Sequence, residues 1–441
     1  MVKKVFMVLV CVSLCLTLFA GCGDAVKNQG DKSADSTSVV EEKTTEQSTG
    51  EPAKIELKDC KLLYYYWNEP QKAVVDKTIE EFNKIYPNIK IESTVIPWAQ
   101  YWTKLQTSLP SGAGPDLYQL NAPHAVEYLP AGLALSLQDK IDRDKVDMTF
   151  YPDSIKQLYN YNGQQYAMPK DYDSIGLFYN KSMFDKAKVK YPDSSWTWDN
   201  LLEAAKKLTI EKNQYGFAID TYMQTGIGNF IFQNGGSVYN ENNTKSAINS
   251  PENVETFQFL QDMIYKYKVS PTAGELVETP SYMQFQAEKV AMITFGSWYV
   301  DPLYQALGDK LGVAPMPVKK TKACMLHGLG YAIDAKTKFA EEAWAFVKYC
   351  SEEEAMKMQA DVVIPAYKGM DVKWTEKFPA LDCKIFTEAA GYGVPLPVAA
   401  KNSTLVEQAM YNALDKIWNQ KMGVAEALAQ AETNMNAEFA K

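Results

Sequence analysis

The chain has 441 residues, of which 54 are acidic and 45 basic, so its formal net charge is −9 at pH 7. An acidic chain is a poor match for nucleic acid, whose phosphates require a basic surface. Arg143 is the sole arginine of the sequence. Because arginine is the side chain best suited to clamp phosphate or carboxylate, the composition also disfavours an anionic ligand.

The first residues have the pattern of an export signal. Lys3 and Lys4 precede an uncharged apolar run that is shorter than the roughly 20 residues of a membrane-spanning helix. The run ends in small residues and Cys22, which resembles the lipobox of bacterial lipoproteins, although Phe19 stands where that pattern prefers leucine. The resemblance implies a signal peptide over 1–21 and a lipid on Cys22. A plain secretory signal or an uncleaved anchor is the alternative.

Residues 22–53 contain almost no large apolar side chains. Such a stretch cannot bury enough surface to offset the entropy lost on ordering, so we predict a disordered, lipid-anchored tether. A plain solvated tail is the alternative. Loss of the two signal lysines would leave a net charge of about −11 on the remaining chain. The body after the tether is long enough for two domains or one large two-lobed unit.

The body opens with alternating strand and helix patterns. The strands are predicted at 61–67, 89–96 and 116–120, and the helices near 75–82 and 99–109. The first strand is a continuous apolar run, which is typical of a parallel strand buried on both faces. The order predicts a doubly wound α/β unit with right-handed crossovers.

The rest of the body continues in the same style. Thr197 is the predicted cap of a helix, because its hydroxyl can accept from backbone amides of the first turn. Residues from 405 onward have helical patterns. The other predicted elements are helices over 198–208, 251–267 and 339–350 and strands over 290–295 and 330–333.

The cysteines and histidines give no sign of a metal site or a cofactor. The chain has two histidines, too few and too scattered for a zinc site, and it contains no GxxxxGK[ST] loop for a nucleotide. Cys350 falls on the inward register of a predicted helix, which favours a core thiol over a disulfide. The cysteines after the lipobox are Cys60, Cys324, Cys350 and Cys383.

Several short motifs follow one another along the body. They are GPDL at 114–117, QYAMP at 165–169 with LFYNK at 177–181, WTWDNLL at 196–202, VAMI at 290–293 with GSW at 296–298, and GLGYAI at 328–333. In this order they resemble family 1 extracellular solute-binding proteins, the group that includes maltose-binding protein. The resemblance covers the chain from Cys60 to its end.

The resemblance implies a fold and a function. The fold is periplasmic-binding-protein-like (type II), with two doubly wound α/β lobes, a hinge and a ligand cleft between them. The lobes would be 60–172 plus 330–390, and 173–326 plus 391–441. The protein would be a monomeric receptor on the extracellular face of the cell membrane, with no enzymatic activity and no cofactor. It would deliver a carbohydrate, in particular a neutral oligosaccharide, to the permease subunits of an ABC importer.

Sugar hydroxyls pair with planar polar side chains, and sugar C–H faces pack on aromatic rings. In open α/β sheets, ligands bind beyond the carboxyl ends of the strands. Trp67, Asn68 and Glu69 follow the first strand, and Asn121 and His124 follow the third. We predict that all five contact the ligand. A core tryptophan with a solvated turn, and a helix cap at His124, are the structural alternatives.

Further ligand residues are predicted in the middle of the chain. Trp298 matches the position where the family commonly stacks a tryptophan on a sugar ring. Asp171 and Asp173 lie near the expected first crossing between the lobes, and Asp173 matches a cleft carboxylate of the family by its spacing from Asn180. Tyr222 is a further candidate. Helix packing for the tryptophan and a solvated hinge for the aspartates are the alternatives.

Two other functions use the same residues. A secreted glycoside hydrolase or lyase needs two carboxylates about 5–10 Å apart, for which Asp171, Asp173 and Glu69 are available. A binder of another solute, such as a polyol, a phosphate ester or a peptide, would share the fold and differ in the charge of its cleft.

Overall fold

Runs of β-branched and aromatic residues form the strands of the molecule. The computed structural model describes residues 56–67 and 69–441. The predicted signal peptide, the tether with Cys22, and Asn68 lie outside the described residues. Within them the strands are β1 (Cys60–Tyr66), β2 (Ile89–Val95), β3 (Leu117–Asn121), β4 (Asn160–Tyr161), β5 (Gln164–Gln165), β6 (Ala167–Asn180), β7 (Met292–Gly296), β8 (Leu311–Ala314), β9 (Met325–Ile333), β10 (Ile364–Pro365) and β11 (Val394–Pro395).

Amphipathic segments between the strands form the helices. Thr197 caps α7 as predicted, since its hydroxyl accepts a hydrogen bond from the backbone N–H of Asn200. In the described part of the chain the α-helices are α1 (Lys72–Ile85), α2 (Trp98–Ser111), α3 (Ala122–Tyr128), α4 (Gln138–Arg143), α5 (Asp153–Lys156), α6 (Lys181–Ala187), α7 (Trp198–Leu208), α8 (Gly228–Gln233), α9 (Pro251–Tyr265), α10 (Ala273–Glu278), α11 (Ser281–Gln286), α12 (Val300–Leu307), α13 (Ala340–Cys350), α14 (Glu353–Gln359), α15 (Asp371–Glu376), α16 (Lys384–Glu388), α17 (Ser403–Trp418) and α18 (Val424–Phe439).

The first three long strands form the parallel unit that the sequence predicted. β1 pairs in parallel with β2 on one side and with β3 on the other. The sheet then continues through β9, β6 and β10, and all of these later pairings are antiparallel. All five residues of β3 are buried, which fits its place inside the sheet.

The long strand β6 takes part in two sets of pairings. Its first half, up to Ser174, pairs with β9. From Ile175 onward it pairs with β7 and β8 instead. One strand therefore joins two sheets, and the change of partners lies between two adjacent residues.

A β-bulge interrupts β6 just after Pro169. Pro169 lies opposite Gly330 and Asp171 lies opposite Leu329, so Lys170 has no partner in the ladder. A bulge bends its strand and redirects side chains, and here the Lys170 side chain is fully buried. The sequence pattern predicts no strand over 167–180, because proline and charged residues are depleted in strand interiors.

The apolar cores mix segments that are distant in sequence. One core combines Trp198 and Ile219 with Leu414 of α17. A second combines Tyr64 of β1 with Phe346 of α13, and it also includes Phe295 at the end of β7. The second core thus reaches across the segments that the sequence assigns to different lobes.

All four cysteines in the described part of the chain are free. Cys350 is buried in α13, as its helical register predicted. Cys324 and Cys383 are also buried, and Cys60 is half-buried. These thiols belong to the packing of the molecule.

Candidate functional site

A cavity of about 520 Å³ opens where several strands end. Its volume falls within the range of small-molecule sites, roughly 300–1,000 Å³. Six of the predicted ligand residues line it, which are Trp67, Asn121, His124, Asp171, Asp173 and Trp298. The ends of β1, β3 and β7 place four of them there, which are Trp67, Asn121, His124 and Trp298, and β6 contributes Asp171 and Asp173 from within the strand.

One wall of the cavity is a cluster of aromatic rings that follow β1 and lie on α2. The Trp67 ring packs 5.2 Å from Trp98, 4.9 Å from Tyr101 and 5.5 Å from Trp102, centroid to centroid. Trp98 is half exposed, whereas Tyr101 is buried and donates its hydroxyl to the carbonyl oxygen of Gln119. Buried rings thus hold the exposed ones in place, which gives this wall a fixed aromatic surface.

Asn121 and His124 form one unit at the end of β3. Asn121 caps α3, because its Oδ1 accepts the backbone N–H of His124 at 3.2 Å. The same oxygen lies 2.6 Å from His124 Nδ1, and the His124 ring is stacked 3.5 Å from Trp102. Burial lowers the pKa of His124 to about 4, so this imidazole is neutral at pH 7.

Asp171 is a buried carboxylate on the cavity floor. Its Oδ2 is ion-paired with Lys170, whose side chain is fully buried by the bulge of β6. Burial raises the pKa of Asp171, while the charge of Lys170 opposes that effect. The positive charge of Lys170 thus neutralises the negative charge of Asp171 at the bottom of the cavity.

Asp173 lies on the same face of β6, two residues further on. Gln224 Nε2 donates to its Oδ1 at 3.1 Å, and His327 Nδ1 lies 3.3 Å from its Oδ2. Gln224 belongs to a π-helical turn, Met223–Ile227, and His327 to β9. The carboxylate is therefore held by one donor from each of two distant segments.

Trp298 lies in the 3₁₀ turn Ser297–Tyr299 that follows β7, and 38% of it is exposed. Its ring lies across the backbone of Gly296. A Cβ atom at Gly296 would come within 1.7 Å of the Trp298 ring. The missing side chain of this glycine thus makes room for the ring on the cavity wall.

Two predicted residues do not line this cavity. Glu69 is exposed in the short 3₁₀ helix before α1. Tyr222 is 69% exposed and packs edge-on near Tyr411. Asn68 lies outside the described residues. The ligand roles of these three residues stay predictions.

The cavity also contains residues that the sequence did not single out, which are Gln71, Gln224, His327, Trp374 and Glu407. The sequence pattern predicts a strand over 330–333, whereas β9 begins at Met325, so the pattern does not mark His327. The other side chains come from helices or from the π-helical turn, where no sequence motif or strand end indicates that a residue lines a cavity. Desolvation by the surrounding protein, together with the nearby charge of Glu127, raises the pKa of Glu407.

The charges of the cavity are of one sign. Its described lining has three carboxylates, from Asp171, Asp173 and Glu407, and contains no lysine or arginine side chain. An anionic group would meet these carboxylates without a cation to pair with. Two of the carboxylates already have partners, which are Lys170 for Asp171 and Gln224 for Asp173.

Residues 65–357, more than half of the chain, match the model of the bacterial extracellular solute-binding protein family. The chain belongs to this family. Its members are binding components of transport systems, so the prediction of a solute receptor without enzymatic activity is confirmed. The rival hydrolase or lyase is thereby excluded as the function.

The names of similar proteins are consistent with membership of this family. The arabinooligosaccharide-binding protein of Bacillus subtilis (strain 168) is 26% identical, with 72% of this chain and 74% of that protein covered. The multiple sugar-binding protein of Streptococcus mutans serotype c is 24% identical, with 69% and 74% covered. An ABC substrate-binding protein from Listeria monocytogenes, solved in complex with cycloalternan, is 29% identical, with a TM-score of 0.80 and coverage of 86% and 99%.

These likenesses confirm the predicted fold class, a type II periplasmic-binding-protein fold of two α/β lobes. The likeness to the Listeria protein covers 86% of the chain. No helix within residues 56–67 and 69–441 combines the length and the apolarity needed to cross a bilayer.

Proposed function

We propose that the cavity captures a neutral carbohydrate, in particular an oligosaccharide, and that the protein delivers it to an ABC importer. The observation that carries the proposal is the lining itself. It joins exposed aromatic rings with carboxylate, amide and imidazole groups, and no described lysine or arginine faces the ligand. The names of the two curated relatives and the cycloalternan complex support a sugar as the solute.

The chemistry of the walls suits a sugar. Trp67 and Trp298 offer flat surfaces for C–H faces. Asp171, Asp173 and Asn121 offer hydrogen-bonding atoms for hydroxyls, which can both donate and accept. A phosphate ester fits poorly because its charge would face carboxylates. A polyol or an uncharged peptide remains an outcome that the binding experiment distinguishes.

The two lobes are proposed to be 60–172 plus 330–390, and 173–326 plus 391–441. The change of partners in β6, from β9 to β7 and β8, supports a crossing close to residue 173. Closure of the lobes over the sugar would add contacts from the second lobe, such as Gln224, to those of the first.

The proposed cellular location rests on the family and on the N-terminal sequence pattern. The family is extracellular, and the lipobox-like residues around Cys22 support a lipid anchor at the outer face of the cell membrane. The expected partners are the permease subunits of the importer, approached by a monomeric receptor.

The first test is thermal unfolding of the protein against arabino-oligosaccharides, cycloalternan, maltotetraose, a polyol, a phosphate ester and an uncharged peptide. A sugar at 100 times its Kd should stabilise the folded state by about 2.7 kcal/mol, which raises Tm measurably. A rise with a polyol or a peptide but with none of the sugars would contradict the proposed ligand.

Variants at Trp298 tie the binding to this cavity. We expect Trp298→Ala to abolish the rise in Tm, and Trp298→Phe to retain part of it because an aromatic face remains. Gly296→Ala should also weaken binding, since the new Cβ displaces the ring. Gly274→Ala is the matched control, because nothing lies within 4 Å of a Cβ at that position. Binding unchanged in Trp298→Ala would place the sugar elsewhere.

A further inference from the structure

The two histidines of the chain, His124 and His327, both line the same cavity. Their settings differ. His327 Nδ1 faces the carboxylate of Asp173, whereas His124 Nδ1 faces the side-chain amide of Asn121. This difference determines which hydrogen-bonding groups the cavity offers to a ligand.

The cap of α3 fixes the orientation of the Asn121 amide. The backbone N–H of His124 points at this side chain from 3.2 Å, and only the oxygen of the amide can accept it. The atom 2.6 Å from His124 Nδ1 is therefore the same Oδ1. An oxygen in this position accepts, so Nδ1 must carry the hydrogen. In a neutral imidazole the other ring nitrogen, Nε2, is then an acceptor.

The surroundings keep the ring neutral. The His124 ring lies flat on Trp102, with an interplanar angle of 6°, and burial lowers its pKa to about 4, with a smaller contribution from His327. None of the described titratable groups around the cavity is hydrogen-bonded to the ring. Those groups are Glu127 and Tyr128 on its own helix, Glu407 on α17, Asp171, Tyr172 and Asp173 on β6, His327 on β9, and Tyr239.

We infer that Asn121 locks His124 as the neutral Nδ1–H tautomer, so that the cavity presents Nε2 as a permanent hydrogen-bond acceptor. Asn121 is then a positioning residue and His124 a specificity-determining one. A ligand group opposite Nε2 must supply a hydrogen, which a hydroxyl does and an ionised carboxylate or phosphate does not. For a sugar hydroxyl this statement rests on the proposed function, whereas the tautomer itself does not.

The tautomer can be read directly by NMR in the unliganded protein. With two histidines in the chain, a long-range ¹H–¹⁵N spectrum contains two imidazole patterns, and His327→Asn assigns them. We expect the His124 pattern at pH 7 to show a protonated Nδ1 and an unprotonated Nε2. A ring protonated on Nε2, or a charged ring, would overturn the inference whatever the sugars do.

Asn121→Asp tests the positioning role while keeping the helix cap, since aspartate caps as well as asparagine. A carboxylate beside Nδ1 favours the imidazolium, so the pKa of His124 should rise from about 4 to between about 5 and 7. The pH titration of the His124 signals measures this rise. An unchanged titration would show that Asn121 does not control the ring.

His124→Phe tests the acceptor itself. Phenylalanine keeps a flat ring against Trp102 and leaves the capped backbone N–H in place, but it removes both nitrogens. For the panel sugar that raises Tm most, we expect Kd to increase about tenfold or more, with the Tm of the unliganded protein nearly unchanged. Wild-type affinity in this variant would refute contact with His124. Failure of every panel sugar to bind the wild type would refute the proposed function and leave the NMR result to decide the tautomer.

Discussion

Asp171 and Asp173 are two carboxylates on one face of one strand, yet they are held in opposite ways. Asp171 is buried and ion-paired with the buried Lys170. Asp173 is partly exposed to the cavity and is held by Gln224 and His327. Removing the counterion of a buried charge destabilises the fold, whereas removing a charge held by polar donors at a cavity wall should mainly affect the ligand.

The largest effect is expected from Lys170→Met, because it leaves Asp171 buried without its counterion. Breaking a buried ion pair on one side costs about 3–5 kcal/mol of the free energy of unfolding. Chemical denaturation of the purified protein measures it. The double variant Lys170→Met, Asp171→Asn should recover most of the loss, because it leaves no isolated charge.

The pH dependence of Lys170→Met provides a second check. Burial already raises the pKa of Asp171, and without Lys170 only the weaker effect of His327 opposes that rise. A folded-state pKa above the unfolded value of about 3.9 means that the cost is present at neutral pH and is relieved as the pH falls. We expect the deficit against wild type to shrink as the pH falls from neutral through the raised folded-state pKa of Asp171. A constant deficit would mean that Asp171 carries no isolated charge.

Asp173→Asn tests the second member of the comparison between Asp171 and Asp173. It removes a charge that lies at the cavity wall and is held by Gln224 and His327, so the free energy of unfolding should change by less than about 1 kcal/mol. Sugar affinity should fall about tenfold, because a hydrogen bond to an ionised acceptor is worth about 1.5–3 kcal/mol. Isothermal titration with the panel sugar that binds measures this. A stable variant with unchanged affinity would remove Asp173 from the site.

Most of the predicted ligand residues that line the cavity follow strand ends. Trp67, Asn121 and Trp298 each come just after an apolar run, and the end of a strand is a local signal that a sequence displays. Family resemblance added the aspartates of β6. Cavity residues can therefore be predicted from the sequence where they follow the end of a recognisable strand.

The rest of the site depends on contacts that no single segment displays. Lys170 is directed inward by a bulge, whose position depends on the pairing of β6 with β9. Gln224 and Glu407 reach the cavity from a π-helical turn and from a C-terminal helix. Their side chains carry no periodic or motif signal, because their role comes from segments that are distant in the chain.

The smallest expected effect compares two neighbours in one turn, Gln224 and Tyr222. Gln224 donates to Asp173 and lines the cavity, whereas Tyr222 is exposed and lies outside the wall. Gln224→Ala removes one neutral donor and should raise the sugar Kd about three- to tenfold. Tyr222→Ala should change it by less than about twofold unless closure of the lobes brings this ring onto the sugar. A larger loss in Tyr222→Ala than in Gln224→Ala would therefore show that the bound form recruits an aromatic residue that the described cavity does not include.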